Sequence, residues 1–218
     1  NDVLVGDNAA NVLSALGGND YLQGRNGADL LQGGDGSDRL EGGAGADQLQ
    51  GGAGSDFAAY YYASVGVTAD LLSAGANTAD AAGDSYLAIE GLIGSSHADT
   101  LNGDNAANHL LGLNGNDTLR GRGGADSVDG GAGSDSLEGG ADNDVFRFAA
   151  GQANGDLVLD FQGNGALTGD MLIFHGYGAG ATFVQASATV WNINYGGGSE
   201  SITFANAAAI QTSDYAFI

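Results

Sequence analysis

The 218-residue sequence predicts an all-β solenoid, a stack of short parallel strands joined by tight turns. Three observations predict it: a nine-residue period, glycines fixed at the turn phases, and an apolar residue fixed two places after an acid. All three are plain in residues 31–56, LQGGDGSDRLEGGAGADQLQGGAGSD. A six-residue turn and a three-residue strand fill one repeat. Two repeats then close one coil, and successive coils stack their strands about 4.8 Å apart in a parallel ladder.

The acid phase runs Asp2, Asn11, Asp20, Asp29, Asp38, Asp47, Asp56, with Leu4, Leu13, Leu22, Leu31, Leu40, Leu49 and Ala58 in the apolar slot. A second array runs Asp99, Asn108, Asp117, Asp126, Asp135, Asp144, with Leu101, Leu110, Leu119, Val128, Leu137 and Phe146. The arrays align at an offset of 97, down to the shared GDNAAN at 6–11 and 103–108, which implies duplication of a block. A disordered Gly-rich linker has no reason to hold Leu and Asp in phase, and collagen needs a period of three with proline. The turns ending at Asp38, Asp47, Asp56 and Asp135 carry the full GGxGxD pattern. Those ending at Asn11, Asn108 and Asp99 are degenerate, and Asp142 replaces the glycine before Asp144.

Residues 57–98 break the period but stay strand-like, and read as irregular coils continuing the solenoid. Tyr60, Tyr61 and Tyr62 there are either packed core with one exposed ring or a stacking platform for a sugar. From Val145 the sequence turns to strands: VFRF, DLVLDF, DMLIF, and a hairpin in 189–206 with Trp191, Ile193 and Tyr195 on one face. The expected organisation is array one at 1–56, spacer at 57–98, array two at 99–147 and a β-rich cap at 148–218, covering an edge that would otherwise invite pairing. The start in mid-pattern without Met suggests a fragment or a processed product.

Composition narrows the function. There are 27 acidic residues, five arginines and no lysine, for a net charge of -22. Nucleic acid and anionic membrane surfaces need a positive face, so both are excluded as partners, and no apolar run is long enough for membrane insertion. Without cysteine, disulfides do not hold the chain together. There is no GxSxG, HExxH or P-loop lysine, so the chain is not expected to be an enzyme, although a missing N-terminal part could be one. The off-phase Asp70, Asp80, Asp84, Asp156, Asp160 and Asp170 read as turn residues, with an additional ion site open at Asp160 or Asp170.

Stacking places acids 18 residues apart above one another, where like charges about 5 Å apart repel by roughly 1 kcal/mol in water and several-fold more near a protein surface. One inward Leu per repeat contributes only about 1.5–3 kcal/mol, so a divalent cation is needed between coils. Calcium takes six to eight oxygens from carboxylates and carbonyls in tolerant geometry, whereas magnesium keeps its waters and an octahedron. Zinc lacks ligands, since His97, His109 and His175 are isolated. The best-formed acid pairs are Asp20/Asp38, Asp29/Asp47, Asp38/Asp56, Asp117/Asp135 and Asp126/Asp144. The pairs Asp2/Asp20, Asn11/Asp29, Asp99/Asp117 and Asn108/Asp126 contain a degenerate turn or an uncharged Asn. Turn carbonyls, those of Gly33, Gly36, Gly42, Gly45, Gly51, Gly121 and Gly130 among them, would complete sites for about five to nine ions.

The quoted 31–56 string is similar to the GGxGxDxUx nonapeptide of the RTX (repeats-in-toxin) calcium-binding family. The resemblance implies a right-handed parallel β-roll with calcium between successive turns. It also implies a secreted, extracellular or cell-surface protein exported by type I secretion, with an uncleaved signal near the terminal SDYAFI. Three functions follow: a non-catalytic module that folds on calcium after export, a structural protein of an extracellular layer or filament, or a polysaccharide-binding module. Outward Val3, Val12, Tyr21 and Leu30 mark a surface for self-association or for docking a missing N-terminal domain.

Overall fold

The computed structural model describes residues 1–163, 169–206 and 208–218. The chain forms two compact units, Asn1–Asp104 and Asn105–Ile218.

In the first unit the nine-residue period becomes alternating strands. They are β1 (Val3–Val5), β2 (Val12–Ser14), β3 (Tyr21–Asn26), β4 (Leu30–Asp35), β5 (Arg39–Ala44), β6 (Gln48–Ala53) and β7 (Phe57–Ala59). Then come β8 (Thr68–Asp70), β9 (Ser85–Leu87), β10 (Gly91–Ile93) and β11 (Thr100–Asn102). Odd and even repeats feed opposite sheets: β1-β3-β5-β7-β10 on one side and β2-β4-β6-β9 on the other, all parallel. Leu4 pairs with Leu22, Leu22 with Leu40, Leu13 with Leu31 and Leu31 with Leu49, a step of 18 each time. This step puts the phased Leu residues on two inward lines, one per sheet, and Leu22, Leu31, Leu40, Leu49 and Ala58 are wholly buried.

The spacer keeps the sheets but not the pitch. Ala58 pairs with Leu92 and Leu49 with Tyr86, so the coil swells to admit residues 60–84. The stretch YYYASVGVTADLL is mostly not strand: only Thr68–Asp70 pairs, parallel to β11, and short 3-10 turns follow at Ala74–Ala76 and Ala79–Ala81. Asp70 closes a turn as a local acceptor, its Oδ1 taking the N–H groups of Leu72 and Ser73 at 2.9 Å.

The second unit begins β12 (His109–Leu111), β13 (Thr118–Arg122), β14 (Ser127–Asp129), β15 (Ser136–Gly140), β16 (Val145–Ala149) and β17 (Asp156–Val158). It continues with β18 (Met171–His175), β19 (Thr182–Gln185), β20 (Val190–Tyr195), β21 (Gly198–Phe204) and β22 (Tyr215–Phe217). One parallel sheet runs β12-β14-β16-β18-β22; the other runs β13-β15-β17-β21 and continues antiparallel through β20 and β19. The predicted hairpin is β20–β21, with Trp191 and Ile193 buried and the Tyr195 ring edge-on to Tyr177 at 5.0 Å. Phe174 gathers Phe183 at 4.9 Å and Phe217 at 5.0 Å. The phased aliphatic line thus gives way to an aromatic core, and the terminal SDYAFI is folded into it as β22. No helix among the described residues is long and apolar enough to cross a membrane.

Truncating the inward line should be costly. Leu40→Ala, at a wholly buried site, is expected to destabilise the cation-loaded fold by about 2–5 kcal/mol. Val3→Ala, at a position 71% exposed, should stay within about 0.5 kcal/mol. Urea denaturation followed by circular dichroism measures both.

Candidate metal centre

Each turn delivers its acid to the same place, beside the acid of the neighbouring coil. The contact is a hydrogen bond in which the backbone N–H of one acid donates to the Oδ1 of the acid one coil further on. In the first unit Asp2 donates to Asp20, Asp20 to Asp38 and Asp38 to Asp56 on one flank. On the other flank Asn11 donates to Asp29 and Asp29 to Asp47, both at 2.7 Å. In the second unit Asn108 donates to Asp126 and Asp126 to Asp144, while Asp117 donates to Asp135.

Beyond the arrays the row passes to acids that the phase does not mark. Asp47 donates to Asp84 at 2.9 Å, Asp56 to Glu90 at 2.9 Å, Asp135 to Asp156 at 2.9 Å and Asp144 to Asp170 at 3.0 Å. Three of these, Asp84, Asp156 and Asp170, read from sequence as turn residues, with an ion site left open at Asp170 alone of the three. Insertions of 19, 3 and 8 residues shift them from the 18-residue step, as their sequence separations of 37, 21 and 26 record. The signal that could have found them is an acid placed just before a strand, as in GDSYL, GDLVL and GDMLI.

The second carboxylate oxygen is the informative one. The Oδ2 atoms of Asp20, Asp29, Asp38, Asp47, Asp56, Asp117, Asp126, Asp135 and Asp144 are buried and accept no hydrogen bond. A buried carboxylate oxygen without a donor is expensive, since it has lost water and gained nothing in return. Eight of the nine lie against the first glycine of their own turn, with Ala15 in that place before Asp20, and at Gly24, Gly33, Gly51, Gly112 and Gly121 a carbonyl from the next coil lies beside the same face. A Cβ on Gly33 would overlap Asp38 Oδ2 and stand 2.8 Å from the Gly51 carbonyl oxygen; one on Gly24 would overlap Asp29 Oδ2 and stand 2.6 Å from that of Gly42. The second unit repeats this at Gly112, with Asp117 Oδ2 and the Gly130 carbonyl at 2.5 Å, and at Gly121, with Asp126 Oδ2 and the Gly139 carbonyl at 2.5 Å. Gly36 (φ 130°) turns the chain where its own Cβ would strike the Gly18 carbonyl, and the Gly36 carbonyl in turn excludes a Cβ at Gly54; Gly45 meets the Gly27 carbonyl likewise. Only glycine fits so close an approach.

This donor set, anionic oxygens with carbonyl oxygens, is what a hard divalent cation takes, and calcium fits it. Among the described residues no three His, Cys, Asp or Glu side chains converge, so carbonyls must supply most ligands to any ion held here. Two members of the predicted set already have local donors: Asn11 Oδ1 accepts the Asp7 N–H at 2.8 Å, and both oxygens of Asp99 are engaged by Ser95. Asp160, where the sequence left an ion site open, takes the N–H groups of Gly139 at 3.0 Å and Gly140 at 2.7 Å.

Electrostatics records the same tension. Burial raises Asp47, Asp56 and Asp144 to about 6. The N–H donated by the previous coil pulls each down, and neighbouring acids push it up again. Burial likewise raises Asp84 and Asp156 to about 7. A carboxyl raised in the folded state favours folding while protonated, so this contribution is complete below about pH 4 and is lost as pH rises through 6–7. Without divalent cation the β signal is therefore expected to be stronger near pH 5 than near pH 8. Calcium binding requires the deprotonated form, so the calcium-loaded trend should be the reverse. Circular dichroism across that range, with EGTA and with calcium, checks both signs. The cradle has its own test: Gly33→Ala should lose calcium affinity, while Gly75→Ala, where a Cβ meets nothing within 4 Å, should not, as read by calorimetry.

Comparison with known proteins agrees with this geometry. A family model described as the RTX calcium-binding nonapeptide repeat matches four times, at residues 1–31, 23–58, 93–128 and 120–152. No curated protein matches the chain. Among solved structures, the chain is similar to the AlgE6R3 subunit of the Azotobacter vinelandii mannuronan C5-epimerase, with 28% identity and a TM-score of 0.43 over 56% of this chain and 78% of that one. It is also similar to the extracellular lipase LipA of Serratia marcescens, with 20% identity and a TM-score of 0.45 over 99% of this chain. It spans only 40% of the lipase. With the four matches covering more than half of its length and its strands stacked at the step the repeat demands, the chain belongs to the RTX calcium-binding repeat family.

Proposed function

We propose that this chain is a non-catalytic module that folds when it binds calcium, as part of a protein exported unfolded and completed outside the cell. The observation that carries the reading is the set of buried Oδ2 atoms without donors, with next-coil carbonyls beside those of Asp29, Asp38, Asp56, Asp117 and Asp126. The fold stacks acids whose buried Oδ2 atoms lack any protein donor, so calcium binding and folding are one event. Asp20, Asp29, Asp38, Asp47, Asp56, Asp117, Asp126, Asp135 and Asp144 supply the carboxylates, and turn glycines supply carbonyls. A chain held unfolded by calcium-poor surroundings can pass through an export channel and fold on meeting abundant calcium.

One observation favours association as a second property. Val3 and Val12 are each 71% exposed, and Val5 and Leu16 join them on the first coil of the roll, at the edges of two sheets. Tyr21 and Leu30 are half-buried, and the Tyr21 hydroxyl is committed to Glu41. Of the four outward residues named for docking, Val3 and Val12 therefore offer the free surface. The tyrosine run gives less to a sugar: Tyr60 is buried and Tyr62 is the exposed ring.

Near pH 8, circular dichroism in EGTA is expected to show coil, and added calcium should produce β signal with a steep midpoint. Asp38→Ala should raise that midpoint by about tenfold or more, because it removes an Oδ1 acceptor and an Oδ2 ligand together. Asp35→Ala, at the exposed last residue of β4, should leave it unchanged. Equal effects of the two substitutions would refute the assignment.

A further inference from the structure

Two kinds of acid stand out along the rows. Asp47 and Asp144 typify the first: Oδ1 takes the previous coil's N–H and the buried Oδ2 takes nothing. Three acids have donors on both oxygens. Asp84 accepts the Asp47 N–H at 2.9 Å on Oδ1 and the Tyr60 hydroxyl at 3.1 Å on Oδ2. Asp170 accepts the Asp144 N–H at 3.0 Å on Oδ1 and the Gln162 N–H at 2.7 Å on Oδ2. Asp99 accepts the Val67 N–H at 2.7 Å on Oδ1 and the Ser95 N–H at 2.6 Å on Oδ2, with the Ser95 hydroxyl within reach of both. We propose that Asp84, Asp99 and Asp170 are cation-free ends of the rows, where a protein O–H or N–H stands in for the ion.

Asp84 shows how the end is built. It is wholly buried, as is Tyr60, whose hydroxyl also meets that of Tyr86; Tyr86 in turn takes the Asn77 side-chain N–H at 3.0 Å. Residues 60–86 thus close a hydrogen-bonded plug over the last coil of the first array. A carboxylate supplied with donors on both oxygens has little to gain from a divalent ion and would have to surrender the Tyr60 bond to hold one. Position, charge and burial do not separate Asp84 from Asp47; the partner of Oδ2 does. Tyr60 is on this basis the residue that sets where the second-flank row stops, and Gln162 has that role after Asp144.

The inference rests on calcium binding by the acids of the first kind, and ion counting separates the two claims. Asp84→Asn keeps an acceptor for the Asp47 N–H and a polar partner for Tyr60. Native mass spectrometry of the full chain in calcium should give Asp84→Asn the wild-type number of ions and Asp47→Asn at least one fewer. Asp170→Asn and Asp144→Asn form an independent pair in the second unit, which decides the matter if Asp84→Asn does not fold. Loss of an ion from Asp84→Asn or Asp170→Asn overturns the proposal. So does a full complement in both Asp47→Asn and Asp144→Asn, since the unsatisfied oxygen would then not select the site. A wild-type chain that binds no calcium at all removes the calcium reading itself.

Discussion

The fold depends on a carboxylate used asymmetrically. One oxygen accepts the backbone N–H of the acid in the neighbouring coil, which fixes the stacking register to within a hydrogen bond. The other is held away from water against a glycine face and a carbonyl. The first contact is available to the chain alone, whereas the second is unfavourable until a cation arrives. Both belong to the same side chain, so the contact that sets the register also creates the demand for metal.

The hydrophobic line is secondary to this. It supplies direction, because Leu22, Leu31, Leu40 and Leu49 define which side of each strand faces in. It cannot supply much energy, with one aliphatic side chain for every nine residues of ordered backbone. Where the rows end, the molecule changes strategy. The first unit substitutes a network of tyrosine hydroxyls, and the second an aromatic core centred on Phe174. Elements that lie beyond the repeats are thus stabilised by packing and hydrogen bonds within the protein, and the repeats by electrostatics.

The roll was legible because its two signals are strictly periodic: an 18-residue step leaves a parallel stack as the arrangement that keeps every Leu inside and every Asp in line. The strands at VFRF, DLVLDF and DMLIF and the hairpin face of Trp191, Ile193 and Tyr195 were legible for the same reason, a period of two. What escaped was everything that leaves the period. Asp84, Asp156 and Asp170 join the rows in space after insertions of unequal length, and no spacing rule reaches them. The region after Tyr60 alternates in hydropathy yet forms mainly turns, because its groups serve a plug rather than a sheet. Asp99 is in phase with the ligands, in a degenerate turn, and the Ser95 donors on its carboxylate show only in the structure.

One detail of the turns bears on how such a chain drifts in evolution. In the regular turns the second position is left-handed, and glycine holds it at Gly34 and Gly43 (φ 110° and 91°), Gly131 and Gly140. There a side chain would strike the carbonyls of Leu16, Arg25, Leu113 and Arg122 respectively. Those four residues occupy the same turn position and adopt the same hand, at φ 73°, 81°, 79° and 82°, despite the penalty of roughly 1–2 kcal/mol that a side chain incurs there. The backbone path is therefore imposed by stacking rather than chosen by the residue. Glycine becomes obligatory only once another layer's carbonyl is laid against it, so a bulky residue in that slot punctuates the text, marking the layer from which a regular stack departs.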